Sequence, residues 1–596
     1  MCGIAGILNA EPGPLAELET TLRALNRAQR HRGPDDEGVW VSPEGRAGLA
    51  HVRLSILDLS PAGHQPMGTP DGRFQITFNG EIYNFRELRE ELSREGVLFV
   101  SDSDTEVLLR LYERQGPEMV GKLRGMFAFC VWDEVEKTAF LARDPMGIKP
   151  LYYSMVAGRL VFASELKSLR RSGMVSSDID PSALVAYFET GSVPEPMTLL
   201  ASVRCLEAGH TLVWHEGRLQ KSRYWRPVFP DGVATEAEAA ERMHESLLDS
   251  VRAHFVSDVP VGIFLSGGMD STALLALARE CGHERVSTFA IGVDDAALDE
   301  SGVARETAAR FGADHHELQL SGAAAEESFA EFLKCGDQPS IDGFNTFTVA
   351  RFARRSGMKV VLSGLGGDEI FGGYPSFSTV PRLARLNRLL RLLPGAAPVA
   401  GLVLERHGRS PRVRRLGSML LRPPSMVSAY QAFRGVFSRR VARCLAYRYA
   451  GTSTAAMADW QGEAPQAVTE GDQVSELEIT RYMRNQLLCD SDVMSMAHGL
   501  ELRVPMVDSR LFEAAAQIPA ATRLRPGKRM LQEAVPDIPV AVAAAPKRGF
   551  VFPFEKWLEA SWGDEFSRVS SSMPAPNPTW YQRWSVFVLE RWLKDG

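Results

Sequence analysis

A chain of 596 residues, 45% hydrophobic and 24% charged, is too long for a single core, and two or three domains are expected. Its net charge of −7 argues against nucleic acid or an anionic membrane as the main partner, although it leaves room for a local basic pocket. Seven cysteines, an odd number without metal-ligand spacing, fit a reducing compartment, and no basic-then-apolar leader or apolar run of 18 residues is present, so cytoplasmic is the expected location.

The first strand begins at once, with Cys2, Gly3, Ile4, Ala5, Gly6 and Ile7. If Met1 is removed, Cys2 carries both a thiol and an α-amine, whose ordinary pKa of about 7.7 to 8.0 suits a general base. The alternative is a small core cysteine on a terminal strand. A helix leads into the polar turn Arg30, His31, Arg32, Gly33, Pro34, Asp35, Asp36, where His31 and Arg32 are placed to pin that strand. The alternating stretch from Ala50 to Ile56 presents Arg53, whose rigid fork suits a carboxylate. Another strand ends in Phe78, Asn79, Gly80, Glu81, Ile82, Tyr83, Asn84, and the Asn79 amide with the Gly80 N–H suits a developing oxyanion. Ser101 to Glu106 adds acidic groups, Asp104 among them, for a substrate ammonium. Leu123–Trp132 and Lys137–Ala142 form a hairpin-like pair, with Cys130 as core. Arg143 and Lys149 fall in a turn whose role stays open, a solvated turn being the bland alternative.

Cys2 and the stretches at 30–38, 78–85 and 101–106 resemble the glutaminase domain of class II glutamine amidotransferases, which are N-terminal nucleophile hydrolases. The resemblance implies that Cys2 attacks the glutamine side-chain amide and that Asn79 and Gly80 form the oxyanion hole. It also implies that Arg53 holds the glutamine carboxylate while Gly80, Glu81 and Asp104 hold its amino group.

A change of texture between about 200 and 230 marks a domain boundary. Beyond it, an apolar strand at Val261–Leu265 breaks into Ser266, Gly267, Gly268, Met269, Asp270, Ser271 before a helix of Leu and Ala. Two glycines and two hydroxyls at a strand-to-helix seam make a cradle for anionic oxygens. No lysine follows in the GxxxxGK[ST] manner, and Asp270 sits beside the anion, so the loop predicts pyrophosphate with Mg²⁺ between the charges. A ligand-free tight turn is the bland alternative.

Strands at Val286–Ile291 and His315–Leu320 alternate with helices, and Met358–Leu362 leads to a second glycine-rich acidic loop, Ser363 to Tyr374 (SGLGGDEIFGGY). The two loops together resemble the ATP-pyrophosphatase domain of glutamine-hydrolysing asparagine synthetases. The fold implied is an N-terminal nucleophile hydrolase α/β/β/α sandwich over 2–210, then an α/β parallel-sheet, adenine nucleotide alpha hydrolase-like domain over 211–570, with a docked helix over 571–596.

By position, Ser266, Gly267, Gly268, Asp270 and Ser271 would hold pyrophosphate, and Asp270 and Asp368 would reach Mg²⁺. Leu265, Ile291, Ser363 and Gly364 would line the adenosine pocket of ATP. Lys528 would steady the leaving pyrophosphate, Glu369 would assist catalysis, and Arg503 would serve the substrate or phosphates. Lys547 and Arg548 suggest a lid or a solvated pair, and residues 375–470 are placed only loosely.

The activity implied is glutamine hydrolysis, internal passage of ammonia, adenylation of the side-chain carboxylate of L-aspartate and amidation, in a homodimer that needs neither nucleic acid nor membrane. Leu365 departs from the pattern, because relatives acting on free aspartate usually place an acid there. With Asp337 and Asp342 expected to shape the acceptor pocket, the alternative acceptor is another acid, such as a uronic acid or a specialised-metabolite acid.

Overall fold

The computed structural model describes residues 2–230, 232, 235–295, 298–451, 457, 460, 462–545 and 552–595. Two antiparallel six-stranded sheets face each other in the N-terminal part. Edge to edge, the first runs Arg204–Cys205, Tyr152–Val156, Arg159–Ala163, Gly3–Asn9, Ala47–Arg53, Asp36–Val41. The second runs Arg218–Arg223, His210–His215, Thr138–Arg143, Gly125–Asp133, Phe74–Ile82, Met67–Gly68.

Between the sheets lies a core of Ile4, Leu8, Leu49, Cys130, Trp132, Leu160, Phe162 and Trp214. The outer face of the first sheet packs on Leu18, Leu22 and Leu25 of the helix Leu15–Ala28. The outer face of the second packs on the helices Phe85–Arg94 and Asp104–Gln115. This is the α/β/β/α sandwich expected. Two of its strands, 210–215 and 218–223, lie beyond the division at 210 that the sequence suggests, so the first domain's sheet ends at Arg223.

The second domain is built on a five-stranded parallel sheet in the order Asp314–Leu320, Ser287–Val293, Val261–Phe264, Val360–Leu362, Glu501–Arg503. The chain moves outward to one side of Val261–Phe264 and then to the other. The loops after Val261–Phe264 and Val360–Leu362 therefore flank a topological switch point, where open parallel sheets bind ligands.

Residues 375–451 form five helices: Ser376–Leu390, Ala396–His407, Pro411–Leu421, Met426–Arg434 and Arg439–Ala450. The last helix, Trp580–Asp595, is docked as expected. Its Trp584 indole donates to the Ile341 carbonyl at 3.1 Å, its Trp592 indole to the Asp337 carbonyl at 2.9 Å, and its Ser585 carbonyl accepts from Tyr187 at 2.7 Å.

Candidate active sites

Cys2 immediately precedes the strand Gly3–Asn9, which is paired on both sides and so fixes where the chain enters the site. It is 8% exposed, and its backbone N–H donates to Asn79 Oδ1 at 3.0 Å. The Asn79 side-chain nitrogen is buried and has no hydrogen-bond partner among the described residues. A buried donor without an acceptor is costly, and beside a nucleophile it is the signature of a site prepared for an oxygen that arrives with substrate.

Gly80 next to it tolerates no side chain, because a Cβ would lie 2.1 Å from the Met126 carbonyl oxygen. Burial pushes the Cys2 thiol above its ordinary range, and a backbone hydrogen bond at Leu54 and the Arg53 charge pull it part of the way back.

Arg53 does not stand free. Its terminal nitrogens donate to the carbonyls of Ser60, Leu57 and Asp58 at 3.1, 3.2 and 2.5 Å, so the fork is built into the 57–60 loop. Asp104 accepts from the Ile82 N–H at 3.0 Å, and burial pushes its carboxyl up to about 6. Glu81, also raised by burial, meets Arg503 at 3.2 Å. His51, which the motifs do not single out, reaches the Phe78 carbonyl at 3.1 Å, and burial holds it neutral by pushing it down to about 3.

Arg32 pins the nucleophile strand as expected, its Nε donating to the Cys2 carbonyl at 3.0 Å. It also reaches into the second domain, meeting Asp492 at 2.8 Å, and Lys149 approaches the same carboxylate at 3.4 Å. Both cations are fully buried, which rules out the solvated alternative for Lys149. Arg143 is likewise buried, paired with Glu195 at 2.8 Å.

At the second site Ser266, Gly268 and Ser271 form a closed hydrogen-bonded turn. The Ser271 hydroxyl donates to the Ser266 and Gly268 carbonyls, each at 3.1 Å, and Gly268 N–H donates to Ser266 Oγ at 3.2 Å. Asp270 in the first turn of the following helix points at Lys528, whose Nζ is 2.7 and 2.5 Å from its two oxygens and also pairs with Asp368.

The approach of the two loops depends on absent side chains. A Cβ on Gly364 would lie 2.8 Å from Ser271 N, one on Gly367 2.4 Å from Asp270 Oδ1, and one on Gly373 1.9 Å from Asp368 Oδ1. Burial opposes the charge on Lys528, but the two carboxylates outweigh it and raise its pKa. Lys528 itself takes a left-handed backbone, φ 54°, to deliver its amine there. Leu265 and Ile291 are 1% and 4% exposed and pack into apolar cores, while Ser363 N–H donates to the Arg503 carbonyl at 2.9 Å.

Glu369 accepts the Tyr374 hydroxyl at 2.9 Å, and burial, with Asp368 adjacent, pushes its carboxyl up to about 8. Tyr374 and Tyr482, edge to face with each other, both approach the Arg434 guanidinium, at 4.3 and 3.9 Å from their ring centres. Arg434, Tyr482, Tyr430, Gln486 and Tyr581 line a cavity of about 120 Å³ beside this cluster. Tyr482 and Gln486 lie on Glu478–Leu488, a stretch wound as a π-helix, a form met mostly at functional sites. That winding carries no simple sequence period, which is why sequence analysis missed this wall.

Three expectations need correction. Asp337 is not an acceptor-pocket carboxylate: its oxygens accept the Leu166 and Lys167 N–H groups at 2.9 and 2.8 Å, capping the first-domain helix Leu166–Arg171. Asp342 turns back on the Gly343 N–H at 2.8 Å and is hydrogen-bonded to Gln486. Arg503 lies away from the phosphate loop, held by Glu501 at 2.5 Å, Glu81, and the carbonyls of His254 and Val256 at 2.8 and 2.7 Å. Lys547 and Arg548 lie outside the described residues.

A nucleophile-hydrolase sandwich with a terminal cysteine, joined to a parallel sheet with paired glycine-rich acidic loops, defines a two-site glutamine amidotransferase with a ligase domain. The chain matches the family model for a glutamine amidotransferase domain over residues 1–225 and the asparagine synthase model over 242–586, and it belongs to the asparagine synthase family.

Over 94% of its length it is 34% identical to asparagine synthetase [glutamine-hydrolyzing] 1 of Bacillus subtilis, covering 88% of that protein. Over 94% it is 35% identical to a putative asparagine synthetase [glutamine-hydrolyzing] of Mycobacterium tuberculosis, covering 89% of it. It is also 33% identical over 63% of its length to the amidase chry2 of Gibberella zeae, covering 60% of that protein. The chain is a glutamine-dependent amide-forming ligase.

Proposed function

We propose that the protein is a glutamine-hydrolysing asparagine synthetase, consuming ATP and L-aspartate and releasing AMP and pyrophosphate. The observation that carries this reading is the convergence of Asp270, Asp368 and Lys528 where two glycine-bounded loops meet, in the same chain as Cys2 with the unpartnered Asn79 amide.

Cys2 Sγ attacks the glutamine amide carbon, and the Asn79 side-chain N–H and Gly80 N–H receive the oxygen charge. Glu81 and Asp104 suit the glutamine ammonium, and Arg53 its carboxylate. The Ser266–Ser271 turn fits a pyrophosphate group, with Ser363, Gly364 and the Leu265 and Ile291 region as the nucleoside wall.

The two carboxylates fit a divalent cation: they face one point, they are acid-rich where an anion must lie, and a lysine neutralises them in the protein alone. Mg²⁺ bound there would supply charge neutralisation for the phosphates. Lys528 then offers its ammonium to the departing pyrophosphate, and Glu369, protonated up to about pH 8, holds or passes a proton near the incoming amine.

Leu365 packs against an apolar cluster that draws Leu54, Tyr83 and Met126 from the first domain and Met496 and Val504 from the second. An apolar boundary of this kind suits neutral ammonia and disfavours ammonium.

A second reading keeps the chemistry and changes the acceptor to a larger acid. Leu365 cannot pair with the ammonium of free aspartate, and the neighbouring cavity is lined by three tyrosines and by Arg434, which Glu478 already holds at 2.9 Å, a polar and aromatic wall that suits a larger, ring-bearing acid.

The test is AMP, pyrophosphate and product mass from purified protein with glutamine, ATP and Mg²⁺, with and without L-aspartate. Aspartate-dependent AMP with equal asparagine is expected. Glutamine hydrolysis without aspartate-dependent AMP would reject aspartate and turn the search to uronic and peptide-like acids.

A further inference from the structure

We propose that the outward faces of the helices Ser376–Leu390 and Ala396–His407, with the segment joining them, are a docking surface for an anionic lipid bilayer. Between Glu369 and Asp459 the sequence holds fifteen arginines, no lysine and one carboxylate, Glu405. This is a net of +14 inside a chain of net −7, so the remainder carries −21. Glu405 is itself buried against the Ser418 hydroxyl and the Arg440 N–H, and contributes nothing outward.

The first helix buries Val380, Ala384 and Asn387, spaced four and three apart, and the second buries Ala397, Gly401 and Glu405, spaced by four. The inner face of the second is held close by glycine: a Cβ on Gly417 of the next helix would lie 2.3 Å from Glu405 N.

The opposite faces, and the connecting segment, carry leucine, valine and arginine. Leu389, Leu392, Leu393 and Val399 are 62, 76, 64 and 64% exposed, and Leu386, Leu402 and Val403 are exposed around them. Seven of the nineteen exposed large apolar side chains among the described residues thus fall within eighteen residues of sequence, too concentrated for scattered surface leucines.

Arg382, Arg388, Arg406, Arg409 and Arg412 lie within or beside this stretch of sequence, exposed and with no carboxylate partner among the described residues. Arg385 pairs with Glu470 at 2.5 Å, and Arg391 donates to the Leu420 and Arg422 carbonyls at 3.1 and 2.6 Å, which ties the connecting segment to the body.

Exposed leucines and valines interspersed with unpaired arginines match a bilayer surface, where leucines enter the acyl boundary and arginines meet phosphate headgroups. A nucleic acid would use the charge and leave the leucines in water. No described helix is long and apolar enough to cross a membrane, so the association is with one face. The first of the two helices begins three residues after Gly373, so docking would hold the second site near the headgroups.

The experiment is vesicle co-sedimentation of the full-length protein, with phosphatidylglycerol–phosphatidylcholine vesicles against pure phosphatidylcholine. Expected is binding to the anionic vesicles that falls at least tenfold in high salt, and falls at least tenfold in the double variant Leu392→Glu with Leu393→Glu. A second variant, Arg382→Glu with Arg388→Glu, should lose anionic binding while its melting temperature and its glutamine- and ATP-dependent AMP formation stay at the parent values, which shows that the second domain is intact. Equal binding to neutral vesicles, or none to either, overturns the proposal. So does a dimer that the leucine variant dissociates while vesicle binding is absent, because the face would then belong to a second copy.

Discussion

At Cys2, the proposed nucleophile depends on Asn79 beside it for its geometry. The Asn79 side chain spends its oxygen on the Cys2 N–H and leaves its nitrogen unpaired in the interior, so the Asn79→Ala variant removes a donor without removing the thiol. Loss of one such donor costs about a hundredfold to a thousandfold in kcat. Steady-state glutamine hydrolysis should show that loss with KM little changed, while ammonia-dependent amide formation at the other site is retained. A variant with unaltered glutamine kcat would remove Asn79 from the oxyanion hole.

Glu369 makes a different residue-scale prediction. Its carboxyl titrates near 8 in the folded protein against 4.5 ordinarily, so between those values the native state binds more protons than the unfolded one. Stability contributed by Glu369 is then complete below about 4.5 and is lost as pH rises through about 8. Denaturation midpoints of Glu369→Gln should gain on the parent as pH is raised across that window, and parallel curves would show that the carboxyl is already ionised.

At the scale of elements, the second site is two strand–loop–helix units brought so close that side-chain atoms are excluded between them. Within the second loop itself Gly373 is as constrained: a methyl there would fall 1.9 Å from the Asp368 carboxylate and 2.4 Å from Lys528 Cε. The Gly373→Ala variant should therefore displace the Asp368–Lys528 pair and lower AMP formation by about tenfold or more, an order set by what misplacement of catalytic groups costs. Its glutamine hydrolysis should be spared, because Cys2 and Asn79 lie in a separate sandwich; equal loss of both activities would mean general unfolding instead.

These two loops were legible in the sequence because backbone constraint writes itself as glycine and a bound anion as serine and aspartate, all within a few residues. The hairpin at 123–142, the helix at 181–190 and the docked tail were legible through their periodicity. The wall formed by Glu478–Leu488 was not, since a π-helix has neither period, and the edge strand Glu501–Arg503 is too short to alternate. Asp337 misled for a related reason: a carboxylate that caps a helix in the other domain looks, in sequence, like one that faces a substrate.

Across the whole molecule, the two domains meet through charges that sequence spacing hides. Arg32 and Asp492 are 460 residues apart and 2.8 Å apart, with neither exposed appreciably to solvent. Arg32 holds the Cys2 carbonyl with one nitrogen, Glu165 with another at 3.2 Å and Asp492 with a third, so the strand bearing the nucleophile is tied to the second domain through a single side chain. The Asp492→Asn variant keeps the shape and removes the charge that balances Arg32 and the approaching Lys149.

Leaving buried cations without their carboxylate costs about 3–5 kcal/mol, so the melting temperature should fall clearly. Slackening the strand should also let glutamine hydrolysis run ahead of amide formation. The glutamate-to-AMP ratio, near one if the sites act in step, should rise above it in the variant. Lys149→Gln removes one cation and keeps the 2.8 Å pair, so it should cost less and leave the ratio closer to that of the parent. If Asp492→Asn melts at a lower temperature but holds the parent ratio, the Arg32 bridge fastens the domains without coupling their chemistry.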